Sequence, residues 1–93
     1  MKLPQKYHAL NHVQRRKVRE EYVRVQHGNC WYCKMPLNGD PIKVVMDLDL
    51  DMSLFPNGFL KWPVHLHHNH NTDWTIGAVH SKCNGILFQY YGE

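Results

Sequence analysis

Between Asn11 and Gln26 the apolar positions Val18, Tyr22 and Val25 recur at spacings of four and three, the stripe of an amphipathic helix. Asn11 is suited to cap its first turn and Gly28 to end it. From Ile42 to Met52 the rhythm changes to two. Val44, Met46, Leu48 and Leu50 fall on one side, and Val45, Asp47, Asp49 and Asp51 on the other. That alternation predicts a half-buried strand. Two further short strands are expected at 64–70 and 75–80, with Asn71-Thr72-Asp73 as the turn between them. A final helix starts at or just after Ser81 and carries Ile86, Leu87, Gln89 and Tyr90 toward the C-terminus. Turn clusters at Pro36–Asp40 and Phe55–Phe59 each hold an Asn-Gly pair. Residues 1–10 contain Pro4 and no clear period, and read as an extended lead-in.

These elements make one α+β domain of 93 residues. Its parts are a lead-in and basic helix at 1–27 and a body at 28–93. A chain this short buries only about 60–65% of its unfolded surface, so a metal or disulfides are expected to supplement the core. No apolar run reaches the roughly 20 residues that cross a bilayer. The N-terminal Met1-Lys2-Leu3-Pro4-Gln5 lacks the apolar region of a secretory leader. The expected location is therefore cytoplasmic. Three cysteines, an odd number, fit metal ligation in a reduced compartment better than a disulfide framework. The net charge of +3 divides unevenly: residues 1–34 carry +6 and residues 35–93 carry −3. Arg15, Arg16, Lys17, Arg19 and Arg24 cover much of the first helix. They are either a solvated face partnered by Glu20 and Glu21 or a set of phosphate contacts, with DNA as the partner.

The cysteines carry the most specific pattern. Cys30-x-x-Cys33 is followed, after a gap of 46 residues, by His80-x-x-Cys83. Two knuckles with ligands three apart close a tetrahedral site. Thiolate ligands select Zn²⁺ over Mg²⁺ or Ca²⁺, so Cys30, Cys33, His80 and Cys83 are expected to hold a structural zinc. The aspartates at 47, 49 and 51 do not make a calcium loop, because the required glycine and glutamate are absent.

Immediately before the second knuckle lie His65, His67, His68 and His70, four histidines within six residues. Neighbours such as His67 and His68 point to opposite faces of a regular strand. A shared site therefore requires a distortion or the strand's end. An imidazole titrating near 6.5 suits a general base acting on water.

The run His67-His68-Asn69-His70, followed by Ile76-Gly-Ala-Val-His-Ser-Lys-Cys83-Asn84, resembles the HNH, or ββα-metal, nucleases. It is most similar to the phage recombination endonuclease VII branch, with its D-H-x-H, hairpin and L-C-x-x-C-N pattern. The resemblance covers roughly residues 28–90. It implies a small zinc-braced ββα-metal domain carrying a basic N-terminal helix. It further implies His68 as the general base, His70 as a second active-site histidine, and His67 and Asn84 as ligands of a catalytic divalent ion. A phage-encoded protein of this kind would act in the host cytoplasm.

The departures from the family pattern alter the expectation. His67 stands where the family has an aspartate, and imidazole suits Mn²⁺, Co²⁺ or Ni²⁺ better than Mg²⁺. Ile76 stands where the family often has arginine. A homodimer is compatible with the resemblance, but the chain ends at Glu93 without the long dimerisation arm of junction-resolving enzymes. Nicking or low-specificity cleavage is expected rather than junction resolution. Two readings of other classes remain: a zinc-knuckle nucleic-acid-binding module without cleavage, and an interaction module using Trp31, Tyr32, Phe88 and Tyr90. Such aromatics belong to a core more often than to a contact surface.

Overall fold

A computed structural model describes all 93 residues. The first helix, α1 (His12–Val25), begins at a capping box. The Asn11 side chain accepts from the Gln14 amide at 2.8 Å, and the Gln14 side chain accepts from the Asn11 amide at 2.9 Å. Two of the four orphan donors of the helix start are thereby satisfied. At the other end His27 and Gly28 both adopt positive φ, and the Gly28 amide reaches back to the Val23 carbonyl at 2.8 Å.

Val18 and Tyr22 are buried as the stripe requires, but Val25 is 45% exposed. The inward position passes to Gln26, four residues after Tyr22. Its side-chain amide donates to the Ala78 carbonyl at 2.9 Å and accepts from the Ala78 amide at 2.9 Å. Gln26 thus pairs with the sheet as a peptide unit would, and this polar anchorage displaces Val25 outward.

The sheet has two antiparallel strands, β1 (Val64–His68) and β2 (Thr75–His80). Val64 faces His80 and the register runs regularly to His67 opposite Gly77. It then slips, so that His68 faces Thr75 and Ile76 is left over as a bulge. Asn69 closes the turn: its side chain accepts from the amides of Asn71 and Thr72 at 2.8 and 2.9 Å. The first strand therefore stops at His68, two residues before its expected end. The lead-in is docked rather than free. The Thr75 amide donates to the Gln5 carbonyl and the Tyr7 amide to the Asp73 carbonyl, both at 2.9 Å. A short 3₁₀ turn at Tyr7–Ala9 follows.

The run Ile42–Met52 is not a strand. It forms a single helical turn, α2 (Lys43–Met46), then irregular chain and a 3₁₀ turn at Met52–Leu54. Val45 is buried, Leu48 and Leu50 are half-buried against the core, and Val44 is 63% exposed. The inward residues Val45 and Leu48 are three apart, a helical spacing that places on one face two residues the alternation would have put on opposite sides.

The last helix, α3 (Ser81–Tyr91), ends at Gly92 in the left-handed region. It buries Cys83, Gly85, Ile86 and Leu87 against the sheet and the long loop. Two glycines permit this closeness. A Cβ on Gly77 would lie 2.8 Å from the Trp31 Cβ, and one on Gly85 would lie 2.8 Å from a Leu50 methyl.

The core joins Val18 and Tyr22 of α1, Leu66 of β1, Ala78 and Val79 of β2 and Ile86 of α3, with Leu37 and Val45 from the loops. The buried Tyr22 hydroxyl pairs with Thr75 Oγ1 at 2.9 Å. Only 16 of the 93 residues are buried, a small core that leaves a second source of stability necessary. Trp31, Phe88 and Tyr90 are exposed and lie outside the core, whereas Tyr32 is half-buried and packs against it. No helix is long and apolar enough to cross a membrane.

Candidate metal centre and histidine-floored groove

The two knuckles meet. The Cys30–Cys33 turn sits against β2 through the Trp31 amide, which donates to the Ala78 carbonyl at 2.9 Å. His80 ends β2 and Cys83 lies in the first turn of α3. The ligand atoms of Cys30, Cys33, His80 and Cys83 all fall within 4.8 Å of one another. His80 Nδ1 is 3.4 Å from the Cys33 sulfur and 3.6 Å from the Cys83 sulfur. Two ligands of one tetrahedral zinc stand about 3.6 Å apart at ordinary Zn–S and Zn–N lengths. His80 Nε2 lies 2.9 Å from the Pro36 carbonyl. With its proton donated there, the Nδ1 lone pair is left facing the sulfurs, the outer-shell arrangement that orients a metal-binding imidazole.

The charges also fit. The Cys30 thiol is held down to about 4, first by the Cys83 thiol and then by the Cys33 amide and other backbone groups. The same sulfur contact and burial push Cys83 upward. The opposite directions describe one proton shared by adjacent sulfurs, and a divalent cation bound there would take its place. The Cys3His cluster is therefore compatible with structural zinc.

Directly after Cys83, Asn84 turns toward the hairpin. Its Oδ1 lies 3.2 Å from His67 Nδ1 and its Nδ2 lies 3.1 Å from His65 Nδ1. His65 and His67 thus face α3, as residues two apart on one strand must. His67 is 1% exposed, and its Nε2 is buried without a partner. Burial pushes the pKa of both imidazoles down, so each stays neutral as a metal ligand must.

The next residue, His68, lies in a different neighbourhood, as alternation along β1 requires. Its ring stacks on Tyr7 at 3.8 Å, almost parallel, and the His70 ring follows at 4.7 Å. His68 opens onto a groove of about 1020 Å³ together with His65, His70 and Asn84. His67 lies beneath this floor.

Comparison with protein-family models, curated proteins and solved structures finds no match to this chain.

The basic residues divide. Arg15, Arg16 and Arg19 line the groove, whereas Lys17 and Arg24 do not. Arg24 is instead paired with Glu21 on its own helix. Arg15 stacks on the far side of the site over Tyr7, 3.9 Å from the ring centre.

Two residues at the site carry no signal in the sequence, and a third, His65, carries only its membership of the histidine cluster. His65 occupies the floor beside Asn84, and only the docking of α3 distinguishes it from other strand histidines. His8 and Asp73 join through a 2.5 Å contact between Nδ1 and Oδ1. With His68 they form a second close group of metal-type ligands, more exposed than the first. The two lie 65 positions apart, and no spacing rule links them.

Proposed function

We propose that this chain is a metal-dependent DNA endonuclease of the ββα-metal type, nicking phosphodiesters with low specificity. The observation that carries the reading is the contact between His67 and Asn84, with His68 on the groove beside them. Adjacent ligands of one octahedral ion at about 2.1 Å stand about 3.0 Å apart. The 3.2 Å between His67 Nδ1 and Asn84 Oδ1 fits that separation. A divalent ion held by His67 and Asn84 would supply positive charge to the phosphate and the leaving oxygen.

The chain's own groups supply the rest. His68, neutral at pH 7, accepts a proton from water at its free ring nitrogen as the water oxygen bonds to phosphorus. The bond to the 3′ oxygen breaks, and that oxygen takes a proton from solvent. By resemblance to the family, the products carry 5′-phosphate and 3′-hydroxyl ends. Arg15, Arg16 and Arg19 neutralise flanking phosphates. Tyr7 holds the His68 ring face-on, and His70 lies against the other ring neighbours of the site.

The reading predicts nicking supported better by Mn²⁺, Co²⁺ or Ni²⁺ than by Mg²⁺, because imidazole replaces an oxygen ligand at position 67. It also predicts loss of nicking in a folded Asn84→Ala variant. Plasmid relaxation assays with each ion measure both. Activity with Mg²⁺ alone would refute the role given to His67, and undiminished nicking by Asn84→Ala would refute the metal site.

A further inference from the structure

The groove has two unlike walls. One is α1, which contributes Arg15, Arg16 and Arg19. The other is the loop 54–62 with the outer face of α3, which contributes Phe55, Phe59, Trp62 and Phe88. The three phenylalanines are in contact through Phe55. Phe55 lies 4.5 Å from Phe59 and 5.8 Å from Phe88, centre to centre. The wall runs into the histidine floor without a break: Phe59 meets His65 edge-on at 4.8 Å, and Phe88 meets His70 at 5.8 Å. Trp62 is 67% exposed at the rim.

From this asymmetry we infer that the groove takes an unpaired DNA strand, with its phosphates along α1 and its bases stacked on the aromatic wall. The inference rests on the nuclease reading for what happens at the floor, but not for how the strand is held. A single strand presents phosphates on one side and base faces on the other, which matches a cationic wall facing an aromatic one. A duplex hides its base faces and presents phosphates on both flanks, so it calls for cations on both walls. The aromatic wall carries one cation, Lys61, set 5.4 Å over the Trp62 ring. An exposed tryptophan at the rim gains little from solvent and much from a base face.

The experiment is fluorescence anisotropy with the zinc-loaded full chain and no other divalent ion added. The probes are a labelled single-stranded oligonucleotide and a duplex of the same length, at one fixed salt concentration. The single strand should bind more tightly. Trp62→Ala should weaken single-strand binding by about 5- to 150-fold, the range of one lost base stack, and leave duplex binding unchanged. Trp62→Phe should restore most of the affinity. Because Trp62 is largely exposed, both variants should keep the wild-type melting curve. Equal or tighter binding of the duplex, or a Trp62→Ala variant that binds the single strand as the wild type does, overturns the inference. Cleavage assays on the same probes separate the two ideas. A Trp62-dependent single-strand preference without cleavage in any ion leaves this inference standing and removes the nuclease reading. Cleavage without such a preference does the reverse.

Discussion

The His68 ring is covered on one face by Tyr7 and approached by the imidazoles of His70 and His8. Burial first, and then the charges of those two histidines, bring its pKa from 6.5 down to about 4. A lowered pKa means that the folded protein holds this proton less readily than the unfolded chain does. The neutral base therefore persists as pH falls below 6.5, and the stability tied to it is lost between 6.5 and about 4. For a catalytic base the consequence is a flat kcat/KM between pH 8 and 5.5, where an unshifted imidazole would lose about tenfold. A pH–rate profile checks this, and a limb centred near 6.5 would contradict it. At this scale the Cys3His cluster was legible, because both knuckles repeat one offset. The places of His68 and Asn84 on one groove follow the order of residues around them. The partner of His65 was not legible, since a strand histidine gains one only when another element docks. Nor was the pairing of His8 with Asp73, which depends on the lead-in folding back over the hairpin turn.

Among the elements, α1, the hairpin and α3 follow from pattern because each is specified locally. Asn11 caps α1, the Asn69–Asp73 turn sets the hairpin, and Gly92 ends α3. The segment 42–52 was misread as a strand because alternation alone does not supply a partner. Its apolar residues instead cover α3, with Leu50 lying against Gly85. The bulge at Ile76 was foreseeable only as a need for distortion between His67 and His68; its position belongs to the pairing of the strands. The knuckle pair brings together the 30–33 turn, the end of β2 and the start of α3, where a bound zinc would tie them. Structural zinc sites contribute about 10–16 kcal/mol in small peptides, more than a core of this size supplies. Treatment with a strong chelator should abolish cooperative thermal unfolding, and Cys83→Ser should do the same while lowering bound zinc. A melt unchanged by the chelator would remove zinc from the account of stability.

For the whole molecule, the uneven charge seen along the chain becomes a spatial arrangement. The basic helix forms one wall of a groove, and the less basic body supplies its aromatic wall and histidine floor. Charge count alone did not separate the five basic residues of α1; helix rotation did, turning Arg15, Arg16 and Arg19 inward to the groove and leaving Lys17 and Arg24 off it. DNA affinity should fall steeply with salt. Arg19→Ala should reduce the slope of log affinity against log salt by about one, whereas Arg24→Ala, whose guanidinium is already paired with Glu21, should leave it unchanged. Binding isotherms across a salt series measure both slopes. Equal effects of the two substitutions would mean that the groove is not the nucleic-acid face.

The most direct measurement is cleavage of a supercoiled plasmid and of a single-stranded DNA circle by wild type beside His68→Ala. Both proteins should be zinc-loaded and folded, with Mg²⁺, Mn²⁺ and Ni²⁺ tested in turn. The account predicts cleavage by the wild type, best in Mn²⁺ or Ni²⁺, and its loss in His68→Ala with DNA binding retained. A folded wild type that binds DNA but cuts neither substrate in any ion would contradict it, and would mark the chain as a zinc-braced nucleic-acid-binding module.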